Sequence, residues 1–397
     1  MNAPKLRFKE FTDEYSITKV NKIVDVIDGD RGNNYPKEND FYETEFCLFL
    51  NAGNVTKNDF NFKNNQFITK EKDEKLRKGK LSINDIILTT RGTVGNVAWF
   101  NEKTPYRNIR INSGMVINRI KENENLLPEY LYSYMKSQVF KNQVNKMNYG
   151  SAQPQLTVSD INNFNIQYPT INEQKKVSTI MLLLDKKIEL QSKKIEDLKL
   201  YKKGLNKTIF SNCTQKHQIN DIITEYNKKT TINNQYDVLS STASGIYPQN
   251  QYFNKQAASD DNTGYKIVPK GFITYRSMSD TGSFHFNIQN FVDYGIVSPA
   301  YPVFNINDNL VNKDYFVYYI NENNKFKKDI LSTKEGGTRY ALSISKFKNI
   351  YAFLPSREEQ NKLAKLLNTY NKKLDTEILK LNKLTELKKG LMQNMFV

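Results

Sequence analysis

Arg91 stands in the run TTRGTVGNVAWF (89–100), where Thr90, Gly92, Thr93 and Gly95 surround it with small and hydroxyl-bearing residues. A loop of this kind between two strands can bring backbone N–H groups, a hydroxyl and a guanidinium close to a phosphate or a base edge. An ordinary hairpin turn has the same composition. The run TYRSMSDTGSFHF (274–286) offers Arg276, Ser277 and Ser279 in a comparable setting. Two further stretches read as polar contact loops or as plain connectors. They are NYGSAQPQLTVSDI (148–161), with Ser151 and Gln153, and KEGGTRYALSISKF (334–347), with Thr338, Arg339 and Tyr340. Each leads into an amphipathic element that starts near Leu156 or Leu342.

Other chemistry has little support. No GxxxxGK(S/T) loop occurs, and Gly79-Lys80 is followed by Leu81. No Pro-Pro pair exists to form the adenine-holding run of an amino-methyltransferase, and GxGxxG, HExxH, HxE…PCxxC and GxSxG patterns are missing. Cys47 and Cys213 lack CxxC spacing, and His217 and His285 lack a ligand partner at helical spacing, so no metal site is expected. Dispersed nuclease carboxylates are invisible at this level, so a single polypeptide that cuts or methylates DNA by itself stays open as a rival reading. No apolar run of about 18 residues is present. The opening MNAPKLRFKEF is no signal peptide. A cytoplasmic location is expected.

Bulk properties set the frame for these loops. At 397 residues the chain exceeds one ordinary domain, and 38% hydrophobic content suffices for real cores. A net charge of +16 suits a polyanionic partner such as nucleic acid.

The elements that must position the loops come in pairs. Tyr168-Pro169…Glu173-Gln174 recurs as Leu354-Pro355…Glu359-Gln360, a shift of 186 residues. The same shift carries Lys202-Lys203-Gly204-Leu205 onto Lys388-Lys389-Gly390-Leu391 and Phe210 onto Phe396. Upstream the match is fainter: LSINDIILTTRG (81–92) aligns with IVPKGFITYRSM (267–278) as a buried strand, and PEYLYSYM (128–135) with DYFVYYIN (314–321) as an aromatic-rich helix. Between 1–80 and 213–266 the register breaks. The chain is a tandem duplication.

Residues 172–210 carry apolar groups at Val177, Met181, Leu184, Ile188, Ile195, Leu198, Leu205 and Ile209, in alternating steps of three and four. This is a heptad seam, interrupted at Gln191 and Lys202. The second copy shows Leu363, Leu367, Tyr370, Leu374, Leu381, Leu384, Leu391 and Met395, interrupted at the matching Glu377 and Lys388. A parallel pairing would set Lys202 against Lys388, two like charges in contact. The spacing therefore predicts an antiparallel coiled coil, a strut of roughly 58 Å for 39 residues, with globular parts at its two ends about a pseudo-twofold axis. The expected fold class is α+β. Expected domains are a first globular domain (1–170), a central long helix (171–212), a second globular domain (213–356) and a C-terminal long helix (357–397).

In this order the features resemble the specificity subunit of type I restriction–modification enzymes. The resemblance rests on Pro4-Lys5-Leu6-Arg7-Phe8, on Asp85-Ile86-Ile87-Leu88…Arg91-Gly92…Gly95, on Pro169…Glu173-Gln174, and on the doubled Lys-Lys-Gly-Leu. The second copy departs from it, since Gly271-Phe272 replaces the acidic-aliphatic pair and Ser277 stands where Arg91 does. The resemblance implies a non-catalytic DNA-binding chain whose two domains each read half of a bipartite target. It implies helices that fix the gap and dock two methyltransferase subunits, which use S-adenosylmethionine. It further implies two restriction subunits using ATP and magnesium. A two-domain DNA binder outside restriction–modification is the alternative.

Overall fold

The structure is a computed structural model and describes residues 3–147, 155–211, 213–243, 245–249, 261–332 and 339–397. The chain divides into two compact units, Met1–Ser192 with Leu379–Val397, and Lys193–Ile378.

In the first unit, strands Val24–Asp28, Ile86–Thr89, Val97–Trp99 and Met115–Ile120 form one sheet, with Met115–Ile120 between Val24–Asp28 and Ile86–Thr89. Strand residues alternate faces, and here both faces are covered. Ile86, Leu88 and Val116 pack with Tyr130, Leu131 and Tyr134 of the helix Pro128–Lys136. Ile87, Met115 and Ile117 turn the other way onto Leu48 and Leu50 of a second sheet. This explains why IILT reads as an unbroken apolar run rather than an alternating one. In the second sheet Cys47–Leu50 pairs parallel with Ile109–Ile111 and antiparallel with Phe67–Ile68.

The second unit repeats the plan. Strands Ile223–Glu225, Val303–Ile306, Ile273–Thr274 and Asn287–Ile288 form the central sheet. Phe304 and Ile273 pack on the aromatic helix Lys313–Glu322, and Val303 faces a second sheet holding Leu239, Val268 and Val297. There too one pair is parallel, Asp237–Thr242 with Tyr294–Val297. The copies thus correspond even where sequence register breaks: Val20–Ile23 leads into strand Val24–Asp28 as Ile219–Ile222 leads into Ile223–Glu225.

Each globular part is welded to its helices by the residues that opened the resemblance. Glu173 is buried and accepts bonds from Arg7 Nε and Nη2 (2.9 and 2.8 Å) and from the Tyr15 hydroxyl (3.0 Å). Gln174 accepts from the Leu127 N–H at the start of the aromatic helix and donates to the carbonyls of Asn125 and Pro169. Gln360 does the same with Asn312 N–H and the Pro355 carbonyl. The Pro…Gln signature is therefore a joint, satisfying the orphan groups of helix ends.

The central helix spans Ile171–Ser211 and the C-terminal helix Arg357–Asn394. Within each unit they run antiparallel. In the first, Val177 and Met181 share a core with Met392, Met395 and Phe396, and Lys388 meets Asp185. In the second, Lys194 meets Glu377 at 3.0 Å, Tyr201 stacks on Tyr370, and Leu205 and Ile209 pack with Leu363 and Leu367. Every seam position is buried or half-buried, namely Val177, Met181, Leu184, Ile188, Ile195 and Leu198, and Leu363, Leu367, Leu374, Leu381 and Leu384. Three of the four seam interruptions, Lys202, Glu377 and Lys388, are ion-paired rather than merely tolerated. No described helix is long and apolar enough to cross a membrane.

Candidate nucleic-acid interface

The loop between strands Ile86–Thr89 and Val97–Trp99 is built from its own side chains. The Thr89 hydroxyl donates to the Thr93 carbonyl (2.5 Å) and accepts from Asn96 N–H (2.9 Å). Gly92 and Gly95 take φ of +69° and +90°, a region L side chains avoid. A Cβ at Gly92 would meet nothing within 4 Å, so glycine there serves the backbone angle and not the space.

Thr90 lies inward at 2% exposure. Its N–H and that of Arg91 donate to the Gly114 carbonyl (2.8 and 3.3 Å), and its own carbonyl accepts from Leu156 N–H (3.0 Å). Arg91 pairs with Gln155 in a single antiparallel bridge. The two stretches singled out in the first copy, far apart in sequence, thus lie side by side. Arg91 and Thr93 are exposed, and Arg91 forms no ion pair with a described residue. Ser151 and Gln153 lie outside the described residues.

Three more cations border this loop. Arg31 donates to the carbonyl of Ser113, next to Gly114 (3.3 Å), and pairs with Asp28. Gly29 lies against the Asn112 carbonyl and touches Gly79, which closes the segment carrying Arg77 and Lys78. That segment is pinned by Arg110, buried, which donates to Asp73 and to the carbonyls of Asp73, Leu76 and Lys78. A shallow cleft lined by Asp28, Asp30, Arg31, Arg77 and Lys78 results, of about 350 Å³. Asp30 braces it. Its carboxyl is held down at about 2, first by the Gly32 N–H, against the upward push of burial, with the N–H and guanidinium of Arg77 adding to the drop. Sequence reasoning missed Arg31, Arg77 and Lys78. The signal was a glycine closing each basic stretch, Gly32 after Arg31 and Gly79 after Arg77-Lys78, in the part of the chain without register to its copy.

In the second unit the same two stretches again meet. Met278–Ser279 pairs with Tyr340–Ala341, and Leu342 N–H donates to the Ser277 carbonyl (2.8 Å). Ser277 therefore takes the place of Thr90, and Met278, opposite Ala341, that of Arg91. The expected equivalence of Ser277 with Arg91 is off by one, because the shift through this strand is 187 and not 186. The pairing of Thr274 with Val303, against Ile87 with Ile117, shows the same slip. Arg276 and Ser279 line an open groove of about 490 Å³, together with His285, Thr281, Tyr265 and Tyr301. Burial lowers the His285 pKa and raises that of Tyr301, the latter opposed by Arg276. Arg339 pairs with Asp280 at 3.0 Å, so its charge is partly spent within the protein. Thr338 lies outside the described residues.

Comparison with known proteins bears directly on this arrangement. The family model described as type I restriction modification DNA specificity domain matches the chain twice, over residues 15–200 and 214–389. The chain belongs to that family. The specificity subunit of the type I restriction enzyme MjaIX from Methanocaldococcus jannaschii is 31% identical over 113 residues, 28% of this chain and 24% of that relative. The chain thus matches about a quarter of that relative's length. The S subunit of a type I restriction–modification system from M. genitalium shares the fold over 100% of this chain and 99% of its own, with TM-score 0.63 and 16% identity. A chain solved for complex assembly and conformational transition of the type I R-M system aligns over 96% and 97%, with TM-score 0.55 and 14% identity. The two family matches end inside the two long helices, so each specificity domain includes one globular part and most of one helix.

Proposed function

We propose that each globular unit of this specificity-family chain reads one half of a bipartite DNA target and catalyses nothing itself. The observation that carries this is the doubled meeting of two chain-distant loops, Arg91 with Gln155 in one unit and Met278–Ser279 with Tyr340–Ala341 in the other. In the first unit Arg91 is the base-edge reader. Arg31, Arg77 and Lys78 hold phosphates, which fix register without reading sequence. In the second unit Arg276, Ser279 and His285 face the target from the groove, with Tyr340 and Arg339 at its rim.

The two helices set the unread gap between half-sites, as half-site spacing does in dimeric readers. They also seat two methyltransferase subunits, where S-adenosylmethionine is consumed. ATP and magnesium belong to two restriction subunits, and the complex works in the cytoplasm. Among the described residues no group of three or more His, Cys, Asp or Glu could hold a metal ion. Methylome mapping of the host tests the reading. Adenine methylation at a two-part motif, lost when the gene for this chain is deleted, is the expected result. A motif that persists without the chain would reject it.

A further inference from the structure

A string of polar side chains runs from the helix pair of the first unit to the strand that leaves the Arg91 loop. Lys388 of the C-terminal helix pairs with Asp185 of the central helix. Asp185 lies 3.8 Å from Lys136, on the last turn of the aromatic helix Pro128–Lys136. The Lys136 ammonium, its side chain only 10% exposed, donates to the Tyr132 hydroxyl at 2.8 Å. Tyr132 in turn donates to Asp59 at 2.6 Å. The other oxygen of Asp59 accepts from the Trp99 N–H at 3.2 Å and from Phe60 N–H at 2.8 Å. Asp59 closes the hairpin Val55–Phe60, whose Val55 carbonyl accepts from the Asn96 side chain of the loop itself (3.0 Å).

We propose that Lys388, Asp185, Lys136, Tyr132 and Asp59 form one positioning relay, through which the helix pair fixes the conformation of the first target-reading loop.

Three observations carry the step. The charges alternate along the path, so each ionised group between the ends lies between opposite or hydrogen-bonding neighbours. Asp59 adopts φ of +138° without being glycine, a strained backbone that persists only where surroundings over-determine it. Burial pulls Lys136 down and pushes Asp59 up, so these charges are held against a cost that apolar residues would not incur. Buried ionic networks add little to stability and serve best where a geometry must be specified.

The second unit solves the same joint differently. Lys202, at the repeat position of Lys388, lies 3.8 Å from Glu322, at the position of Lys136. Tyr318, at the position of Tyr132, donates to Asn206 of the central helix and so points back to the helix, not onward to a reading loop. The relay belongs to the first unit.

Hydrogen exchange on the full chain tests it without DNA. Lys388→Met is expected to speed exchange of the 89–100 amides roughly tenfold, the effect of losing one half-buried charge-assisted bond, and Lys388→Arg to restore it. Tyr132→Phe keeps the ring, removes only the hydroxyl, and is expected to act on the same amides should Lys388→Met loosen the helices as a whole. Parent-like exchange at 89–100 in Tyr132→Phe overturns the relay, and so does a general rise shared equally by 274–286. A second arm rests on the reading function proposed above. Selection from random duplex DNA should show Tyr132→Phe relaxing one block of the motif and leaving the other intact. If the parent chain selects no motif, that function fails while the exchange arm still decides the relay.

Discussion

Arg91 and the cations around it differ in what holds them, and that difference predicts how each behaves. Arg91 is clamped through its backbone to Gly114 while its guanidinium stays free of described acidic partners. Arg91→Ala is expected to cost about 1–3 kcal/mol of binding and to relax preference in one half-site only, read by selection on variant DNA. Arg77 is 77% exposed on its side chain and lines an open cleft. Arg77→Ala and Lys78→Ala are expected to weaken all sequences alike, each reducing the slope of log affinity against log salt by about 1. Asp30 gives a pH signature. Its folded pKa of about 2 lies below the ordinary carboxylate value, so its contribution is present above about pH 4 and fades as pH falls toward 2. The stability gap between the parent and Asp30→Asn should narrow over that window in denaturation measurements, and a gap that widens on acidification would contradict the assignment. The turn carrying Arg91 was legible because Gly92 and Gly95 announce it, and both take positive φ. Arg31 and Arg77 were not, since their closeness to Arg91 depends on non-local strand pairing through residues 112–114.

At the scale of elements, the long helices were the most legible part of the chain. Periodicity reports burial directly, and every seam position proved buried or half-buried. The matched interruptions also pointed to the antiparallel sense, though not to the partners: Lys202 leaves the seam for Glu322 of a globular part. That contact joins residues far apart in sequence, which no period encodes. Leu367, 2% exposed, packs in the core that also holds Ile209 and Tyr319. Leu367→Ala should destabilise the second unit by about 2–5 kcal/mol, depending on how far the site collapses. Chemical denaturation would read it, and a change below about 0.5 kcal/mol, typical of surface sites, would mean the helix is not packed there. The short strands around the reading loops were read less well. The one-residue slip puts Met278 rather than Ser277 at the position of Arg91 and leaves Arg276 two residues short of it; strands this short carry too little hydrophobic pattern to fix their own register.

For the whole molecule, the duplication was visible in the helices and the joints, where packing restricts residue choice, and nearly invisible in residues 1–80 and 213–266. There the same strands recur with insertions between them, so architecture outlasted register. This is the pattern expected if joints and helices serve one assembly while the loops are free to diverge toward two different half-sites. The ruler role makes a matching prediction: a seven-residue insertion in each helix, within 176–200 and its copy, should lengthen the unread gap and leave both half-sites unchanged.

The most direct measurement is selection of bound sequences from random duplex DNA by the full chain, alone or with the methyltransferase subunit proposed above. Two short specified blocks at one fixed separation, with Arg91→Ala degrading only one of them, is the predicted result. A single continuous block, or enrichment of no sequence at all, would contradict the claim that each unit reads its own half of the target.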